Sequence, residues 1–386
     1  MSMTSTLLPM VADGLGNFFG DSLMLACTSL MFRDTSGGAY AGRTLELSIE
    51  LPYLVSFLPR GRAFTSAIEG HAPLNVQSKY DILAVTVPNG SVNDLKIVEG
   101  LNGAGLTFSV LAYAGANGPA DNFAKTKAAL AAIDLGAWVL SQFDTASAVK
   151  TALEQQPVLL TPLAALHGAQ TPFHFVVHDR SGASIVIEFS NGKLNIYDNP
   201  VGVMTNGPEF SWHITNLNNY TFLTNIDKSV GKFGNLTVSQ PDSGIATAGL
   251  PASNTSVGRF VRAVYYSNFA QAVTPDKAIV GLGHILNNFD RPKGITIDAR
   301  NGGGLEFDGI EEENPSEFST EYTSWTSLTD LGLNQLFIRS YDNINFIKFD
   351  LGRLAGMKDV KLVPLAEVAK LNMLDATDVL LNAKAP

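Results

Sequence analysis

Cys27 is the only cysteine of the chain, so it has no intramolecular disulfide partner and its thiol is available for chemistry. A lone cysteine is most often a small buried apolar residue, so a catalytic role needs further support. A thiol nucleophile requires a base, and none of the six histidines has an evident pairing with Cys27 in the sequence. If Cys27 is the first residue of the mature chain, its own α-amine can be that base. Unperturbed α-amines and thiols titrate near ~8 and ~8.5, so a modest shift of either allows proton transfer near neutral pH.

The segment before Cys27 decides whether that α-amine exists. Residues 1–26 have apolar stretches and end in a small residue, as a secretory signal does, but they contain no Lys or Arg and two aspartates interrupt them. Met24-Leu25-Ala26 is also typical of the end of a lipoprotein signal, with Cys27 as the lipid anchor, and the missing basic region weakens both interpretations. A third interpretation places the true start near Met24. We expect a leader or propeptide at 1–26 that is removed, and a single domain at 27–386.

The compartment follows from the nature of the leader. If residues 1–26 are a signal peptide, the protein is periplasmic or secreted; otherwise it is cytoplasmic.

Composition limits the possible partners. The chain has 386 residues, 45% of them hydrophobic, which is enough for a large core, and we find no linker or repeat that would divide it. Its 26 Lys and Arg against 36 Asp and Glu give a net charge of -10 with no basic cluster, so we expect no nucleic-acid partner. No apolar stretch approaches the ~20 residues that span a bilayer, so we expect a soluble protein.

Short alternating segments separated by turn residues predict strands along most of the chain. They cover 27–32, 39–48, 81–87, 106–112, 173–177, 184–189, 194–197, 324–328, 335–340 and 345–351. Helix is predicted over 122–156, with a break near 143–145, and again over 258–271 and 276–287. Strand groups that flank helical blocks, without regular βαβ alternation, favour an α+β fold with stacked sheets.

Two other features do not indicate a ligand site. His174 and His178 share one face of a predicted strand, but the sequence suggests no third metal ligand near them. The segment Asn301-Gly302-Gly303-Gly304 lacks the following Lys-Ser/Thr of a phosphate-binding loop. We therefore expect no metal and no cofactor.

A series of motifs begins at Cys27. Cys27-Thr28-Ser29-Leu30 followed by Gly42-Arg43-Thr44-Leu45-Glu46 resembles the opening of the choloylglycine hydrolase family, which includes penicillin V acylases. Further matches come in the family's order, at 102–106, 198–210, 212–220, 249–251 with 258–263, and 323–326 with 341–343. Each motif is weak alone, but five in the correct order over about 27–351 are specific.

The resemblance implies the four-layer αββα sandwich of the N-terminal-nucleophile hydrolases. It also implies hydrolysis of linear amides, such as conjugated bile salts or penicillin V, whose acyl group is apolar. Members of the family are commonly homotetramers, and the assembly loop would lie at about 221–248.

By the same resemblance, Cys27 is the nucleophile and Arg43 lies beside its thiol, where a fixed positive charge favours the thiolate. Arg259 matches the second arginine of the family's site. Glu46 stands where many relatives carry Asp, the acid that orients the α-amine. Glu keeps the charge and adds one methylene, so the geometry has to adjust.

Asn206 matches the asparagine of the family's oxyanion hole. The second contributor is open, because counting from Asn102 without gaps brings the family's Asn or Tyr to Ala112, which has no side-chain donor. Either Tyr113 beside it serves, or another group does. Because Asn tends to accompany bile salt hydrolases and Tyr penicillin V acylases, this departure leaves the substrate open.

The segment 51–59, with Leu54 and Phe57, is expected to be partly a loop over the site that binds an apolar acyl group, although half of its side chains suit a core. Two alternatives remain for the function. The substrate could be an N-acyl homoserine lactone or another lipid amide. The chain could also be an inactive relative that binds amphipathic ligands, which the departures at Glu46 and Ala112 would suit.

Overall fold

The hairpin that carries Cys27 opens the structure. A computed structural model describes residues 25–48, 50–89, 91, 93–163, 169–299 and 318–371. Strand β1 (Leu25–Arg33) pairs antiparallel with β2 (Ala39–Leu47). The side chain of Asp34 accepts hydrogen bonds from the backbone of Ser36 at 2.7 Å and Gly38 at 2.9 Å, and Gly37 adopts φ 84°. An Asx turn with a left-handed glycine therefore closes the hairpin.

Two antiparallel sheets stack face to face. The six-stranded sheet has the order β10-β1-β2-β11-β12-β13, where β10 is Val203–Met204, β11 Tyr322–Asp330, β12 Gln335–Ser340 and β13 Ile347–Asp350. The eight-stranded sheet has the order β9-β8-β7-β6-β5-β4-β3-β14. Its strands are β3 Leu54–Leu58, β4 Ile82–Pro88, β5 Leu95–Asn102, β6 Leu106–Ala112, β7 Phe173–Asp179, β8 Ser184–Ser190, β9 Lys193–Asp198 and β14 Lys361–Pro364.

Helices cover the outer faces of the two sheets. Helices α1 (Leu135–Gln142) and α2 (Ala146–Leu153) pack on the eight-stranded sheet, and α4 (Ser256–Phe269) and α5 (Pro275–Leu286) on the six-stranded one. Shorter helices are α3 (Phe210–Asn216), α6 (Leu351–Leu354) and α7 (Leu365–Ala369). The layers are thus helix, sheet, sheet and helix, the αββα sandwich that the family resemblance implies. None of the helices in the described ranges is long and apolar enough to cross a bilayer.

Local sequence explains how α4 and α5 meet the sheet. Thr255 caps α4 by accepting a hydrogen bond from Gly258 N, and Pro275 opens α5 at a position where a missing N–H costs nothing. Gly42 of β2 lies under α5, and a Cβ there would be 2.9 Å from a methyl of Leu286. The glycine of the Gly42-Arg43 motif therefore permits close packing of strand and helix.

Two apolar cores result. One lies between the sheets and beneath α4 and α5, and Cys27 belongs to it. The other lies between the eight-stranded sheet and helices α1 and α2. Small two-stranded pairs complete the fold, at 63–66 with 74–77, 130–131 with 158–159, 162–163 with 169–170, 230–233 with 236–239, and 298–299 with 318–319.

Most predicted elements are confirmed, and two are wrong in part. Helix does not extend over 122–156, since residues 130–131 form a parallel strand pair and α1 begins only at Leu135. Residues 129–132 are all buried, which is a continuous apolar run and not the 3.6-residue period of an amphipathic helix. Residues 54–58, expected as part of a loop, are a strand buried on both faces. The segment 301–304 lies outside the described residues.

Candidate active site

The polar groups of Cys27 are held from three directions. Its backbone N–H donates to Oδ1 of Asn206 at 2.9 Å, and its carbonyl accepts from Nη1 of Arg259. Nη2 of Arg43 lies 3.3 Å from the Sγ atom. Cys27 is 1% exposed, with Ala26 preceding it in the same strand. The thiol is therefore a buried group with a cationic side chain beside it.

Arg43 reaches the thiol from β2 across the space between the sheets. Its Nη2 donates to the carbonyl of Val110 at 2.5 Å and its Nη1 to that of Val98 at 3.4 Å. Its guanidinium carbon lies 4.8 Å from the ring centroid of Trp325. Burial by itself would lower the pKa of Arg43, but the neighbouring acidic groups of Cys27 and Glu99 outweigh it and raise the pKa. Arg43 is a fixed cation at neutral pH.

Arg259 approaches Cys27 from α4, on the other face of β1. Besides the Cys27 carbonyl, its guanidinium contacts Oδ1 of Asn206 at 2.6 Å and Oγ1 of Thr28 at 3.0 Å. Burial lowers the pKa of Arg259 to about 10, against the opposing effect of Glu46. Arg259 stays charged at neutral pH, and its hydrogen bonds join α4 to the backbone and side chains beside the thiol.

Asn206 is held on all sides. Its Nδ2 donates to the carbonyl of Ala112 at 2.8 Å, its N–H donates to Oγ of Ser256 at 2.9 Å, and its carbonyl accepts from Nε2 of His213 at 2.9 Å. Burial lowers the pKa of His213 to about 4, so the ring is neutral at neutral pH, with its hydrogen on Nε2. Within the part of the chain that the structure describes, the second hydrogen on Nδ2 has no acceptor, so it can serve a developing oxyanion.

Glu46 lies apart from the thiol. It is fully buried opposite Ala26, on the helix-facing side of the six-stranded sheet, and its Oε1 accepts from Oγ1 of Thr323 at 3.2 Å. A bulge between Leu45 and Glu46 shifts the register with β11 at this point. Burial raises the pKa of Glu46, with Arg259 and a second arginine opposing it. The N–H of Cys27 bonds to Asn206 and not to this carboxyl.

The four residues predicted as substrate contacts fall in different places. Ala112 contacts Asn206 through its backbone carbonyl. The ring of Tyr113 stacks on His174 with centroids 5.0 Å apart and is itself buried. Leu54 and Phe57 are buried in β3, and Phe57 belongs to the same core as Cys27. The structure thus brings Ala112 to the site and places the two β3 side chains in the protein interior.

Several neighbours of the site were missed in the sequence. Glu99 forms a 3.7 Å ion pair with Arg43, and His178 lies 3.3 Å from the hydroxyl of Ser29. A usable signal existed for Glu99, because a lone acid inside an apolar strand calls for a buried partner, as Arg43 does. No short-range pattern points to Ser256, which contacts Asn206 only through the tertiary fold. His213 follows Asn206 by seven residues and lies in a matched motif, but its contact with Asn206 was not predicted.

The arrangement suits attack on a carbonyl carbon. It combines a thiol beside a fixed cation with an amide N–H donor for a developing oxyanion. Among the described residues, no group of three or more His, Cys, Asp or Glu side chains is arranged to hold a metal ion.

Known proteins share this fold. A variant of the conjugated bile acid hydrolase from Clostridium perfringens superposes with a TM-score of 0.74, at 24% identity, over 88% of this chain and 97% of that chain. The penicillin V acylase from Agrobacterium tumefaciens superposes with a TM-score of 0.66, at 21% identity, over 88% and 92% of the two chains. Two stacked antiparallel sheets between helical layers, with a cysteine on the first described strand, define an N-terminal-nucleophile hydrolase fold.

Sequence comparison is more specific. The model of the linear amide C–N hydrolases, choloylglycine hydrolase family, matches residues 27–356. The conjugated bile acid hydrolase of Lactobacillus acidophilus is 30% identical over 282 residues, which cover 70% of this chain and 84% of that protein. The chain belongs to the choloylglycine hydrolase family and is an amidohydrolase of linear amides.

Proposed function

We propose that Cys27 is the nucleophile of this hydrolase and that its substrates are amides with an apolar acyl group, either conjugated bile salts or penicillin V. The observation that carries the proposal is the placement of Cys27 between Arg43, 3.3 Å from Sγ, and Asn206, whose Oδ1 is 2.9 Å from the Cys27 nitrogen. Relatives named as bile acid hydrolases and penicillin V acylases share the fold, and this supports both substrate classes.

The proposed reaction uses the thiol of Cys27 as the nucleophile and its α-amine as the base. The α-amine takes the thiol proton, Sγ attacks the carbonyl carbon, and the oxyanion accepts a hydrogen bond from Nδ2 of Asn206. The protonated amine then gives its proton to the leaving nitrogen, which departs as a free amine and leaves a thioester. Water attacks the thioester, releases the carboxylic acid and restores the thiol. Arg43 stabilises the thiolate, and Arg259 positions both Asn206 and the Cys27 carbonyl.

We further propose that residues 1–26 are removed, by a self-cleavage at Ala26–Cys27. A peptide nitrogen, as Cys27 has here, is no base, whereas the α-amine produced by cleavage is. Glu46 lies opposite Ala26 in the sheet and would then face the new amine, whose charge its carboxylate would favour.

Tyr113 is proposed as the second group of the oxyanion hole or the acyl pocket. Gly207 beside Asn206 lies against its ring, since a Cβ there would be 3.7 Å from the ring. Ala112 contributes only its carbonyl, which holds Asn206. Phe57, in the same core as Cys27, is proposed to shape the interior behind the site, and Leu54 is buried in the same strand.

Amine release by the mature protein tests the proposal. Glycocholate, taurocholate and penicillin V are supplied side by side, with folded Cys27→Ala protein as control. Turnover of one class that Cys27→Ala abolishes would establish both the nucleophile and the acyl preference. Activity that survives in Cys27→Ala refutes the nucleophile, and silence on all three substrates with the leader absent by intact mass refutes the substrate classes. N-acyl homoserine lactones would then be the next amides to supply.

We also propose that the protein assembles as a homotetramer through the segment 221–248. Its hairpin, Val230–Phe233 with Leu236–Ser239, projects Val230, Phe233 and Leu236 into solvent, each more than half exposed. An exposed apolar patch of this kind is typical of an interface. Light scattering after size exclusion should give four chains for the wild type and fewer for Phe233→Ser. Ile344→Ser, at an exposed apolar residue outside this hairpin, is the control.

A further inference from the structure

Glu99 is a buried acid that the proposed reaction does not use. It lies on β5 opposite Ser109 of β6, it is 3% exposed, and the hydroxyl of Ser109 hydrogen-bonds its carboxyl group. A carboxylate without a cation would be costly at such a position. Its cation is Arg43, whose Nη1 lies 3.7 Å from Oε2 of Glu99.

Arg43 is shared between two acidic groups. Nη1 faces Glu99, while Nη2 lies 3.3 Å from the thiol of Cys27. One guanidinium carries one positive charge, so ionisation of either acid makes ionisation of the other less favourable. The two groups therefore compete for the same cation across the space between the sheets.

Arg43 does not depend on Glu99 for its position. Two backbone carbonyls, those of Val110 and Val98, and the face of Trp325 hold the guanidinium as well. Removal of the Glu99 charge should leave Arg43 in place, with no carboxylate to offset its positive charge. The effect of Glu99 on the thiol is then electrostatic: a negative charge on Glu99 disfavours the thiolate, and its removal favours the thiolate.

We propose that Glu99 is a positioning residue that acts through Arg43 and sets the pH range over which Cys27 forms its thiolate. The proposal rests on the proposed role of Cys27 as nucleophile. The groups around the pair are Arg43 from β2, Cys27 from β1, Ser109 from β6 and Tyr53, which precedes β3 and interacts with both Arg43 and Cys27.

The ionisation of Glu99 falls within the working range of a thiol enzyme. Burial raises the pKa of Glu99 to about 7, against the opposing effects of Arg43 and Ser109. Below that pH Glu99 is neutral and Arg43 supports the thiolate alone. Above it, the Glu99 carboxylate offsets part of the Arg43 charge. Tyr53, whose pKa burial raises above its ordinary value, remains neutral throughout.

The test is the ultraviolet absorbance of the thiolate as a function of pH, in Glu99→Gln and in wild type. Cys27 is the only cysteine, so Cys27→Ala protein supplies the baseline. We expect the midpoint of thiolate formation in Glu99→Gln to fall by about one pH unit, a roughly tenfold gain in thiolate, for charges separated by several ångströms at an effective dielectric near 20. The matched control is Asp134→Asn, which removes a buried acidic partner of Lys96, a cation on the same strand as Glu99 that forms its ion pairs without Arg43. Its midpoint should equal that of the wild type.

A milder variant covers the case in which Glu99→Gln does not fold. Ser109→Ala removes the hydrogen bond that lowers the pKa of Glu99, so Glu99 stays neutral to higher pH and the thiolate midpoint should fall by a smaller amount. A midpoint that is unchanged or raised in the folded variants overturns the proposal. Because no substrate enters the measurement, a failure of the proposed function appears separately, as absent amine release.

Discussion

Each side of strand β1 carries a buried arginine that contacts Cys27, and the two arginines differ. Arg43, between the sheets, is surrounded by acidic groups that raise its pKa. Burial lowers the pKa of Arg259, on the helix side, to about 10, and the neighbouring positive charge of Arg291 lowers it further. Residue type and burial are the same, so the balance of neighbouring charge decides the shift. The side between the sheets is suited to control ionisation, and the helix side to position atoms by hydrogen bonds.

The largest effect should come from Arg259→Met. The change removes hydrogen bonds to the Cys27 carbonyl, Thr28 and Asn206, so we expect kcat/KM to fall by at least ~100-fold and the free energy of unfolding by about 3 kcal/mol or more. Steady-state kinetics and urea unfolding measure the two losses. Arg262→Met, one turn further on α4, should destabilise the fold with activity kept, because Arg262 bonds to Pro251 and Ser253. Equal activity losses in the two variants would contradict the positioning role of Arg259.

Arg43→Met should act on the thiol rather than on the geometry. Without the cation the thiolate is less favoured, so kcat/KM should fall by about 100-fold at neutral pH and recover in part at higher pH. The pH profile of kcat/KM measures this. Arg339→Met, which removes an ion pair with Asp290 away from the thiol, is the control. A uniform loss at every pH would show that Arg43 serves only as packing.

The free energy of unfolding should depend on pH in opposite ways through two buried groups, Glu99 and His178. The pKa of Glu99 rises from 4.5 to about 7 on folding, so its contribution is fully present below pH 4.5 and is lost as the pH rises through about 7. Wild type should therefore lose about 3 kcal/mol relative to Glu99→Gln over that interval. His178 acts in the opposite sense, since burial lowers its pKa from 6.5 to about 4 and its contribution is lost as the pH falls through that interval. Urea unfolding at a series of pH values gives the free energy of unfolding as a function of pH. Glu99→Gln and His178→Asn should change the slope of this dependence in opposite directions relative to wild type. Variants whose free energies run parallel to that of the wild type would refute the assignment.

The smallest effects should come from neighbours on opposite faces of β1. Thr28→Val removes the hydroxyl that Arg259 contacts, and Ser29→Ala removes the hydroxyl 3.3 Å from His178. Each should cost about 1 kcal/mol of stability. Thr28→Val should also lower kcat/KM several-fold, whereas Ser29→Ala should leave it within about twofold, by the proposed division of the two faces. The reverse order of activity losses would exchange the roles of the faces.

Some of the site could be predicted from neighbouring residues. Strand alternation places Arg43 and Leu45 on one face of β2 and Glu46 on the other, which predicts that Glu46 lies away from Arg43. Asn206 was identified, but its bonds to Ser256, His213 and Ala112 were not, since these residues come from α4, α3 and β6. The strand at Leu54–Leu58 was expected as part of a loop, because a short apolar run does not reveal whether it covers a site or lies inside a sheet.

The sequence by itself determined the family and the order of most strands and helices, and it indicated Cys27, Arg43, Asn206 and Arg259 as candidate site residues, because ordered motifs and residue types are local properties of the chain. Only the tertiary structure decided that Arg43 contacts both the thiol and Glu99. Glu99 lies 56 positions after Arg43 in the chain. It also decided which arginine gains and which loses proton affinity. The reason is physical: burial and through-space charge depend on groups that folding brings together from distant strands, and no spacing in the sequence records those distances.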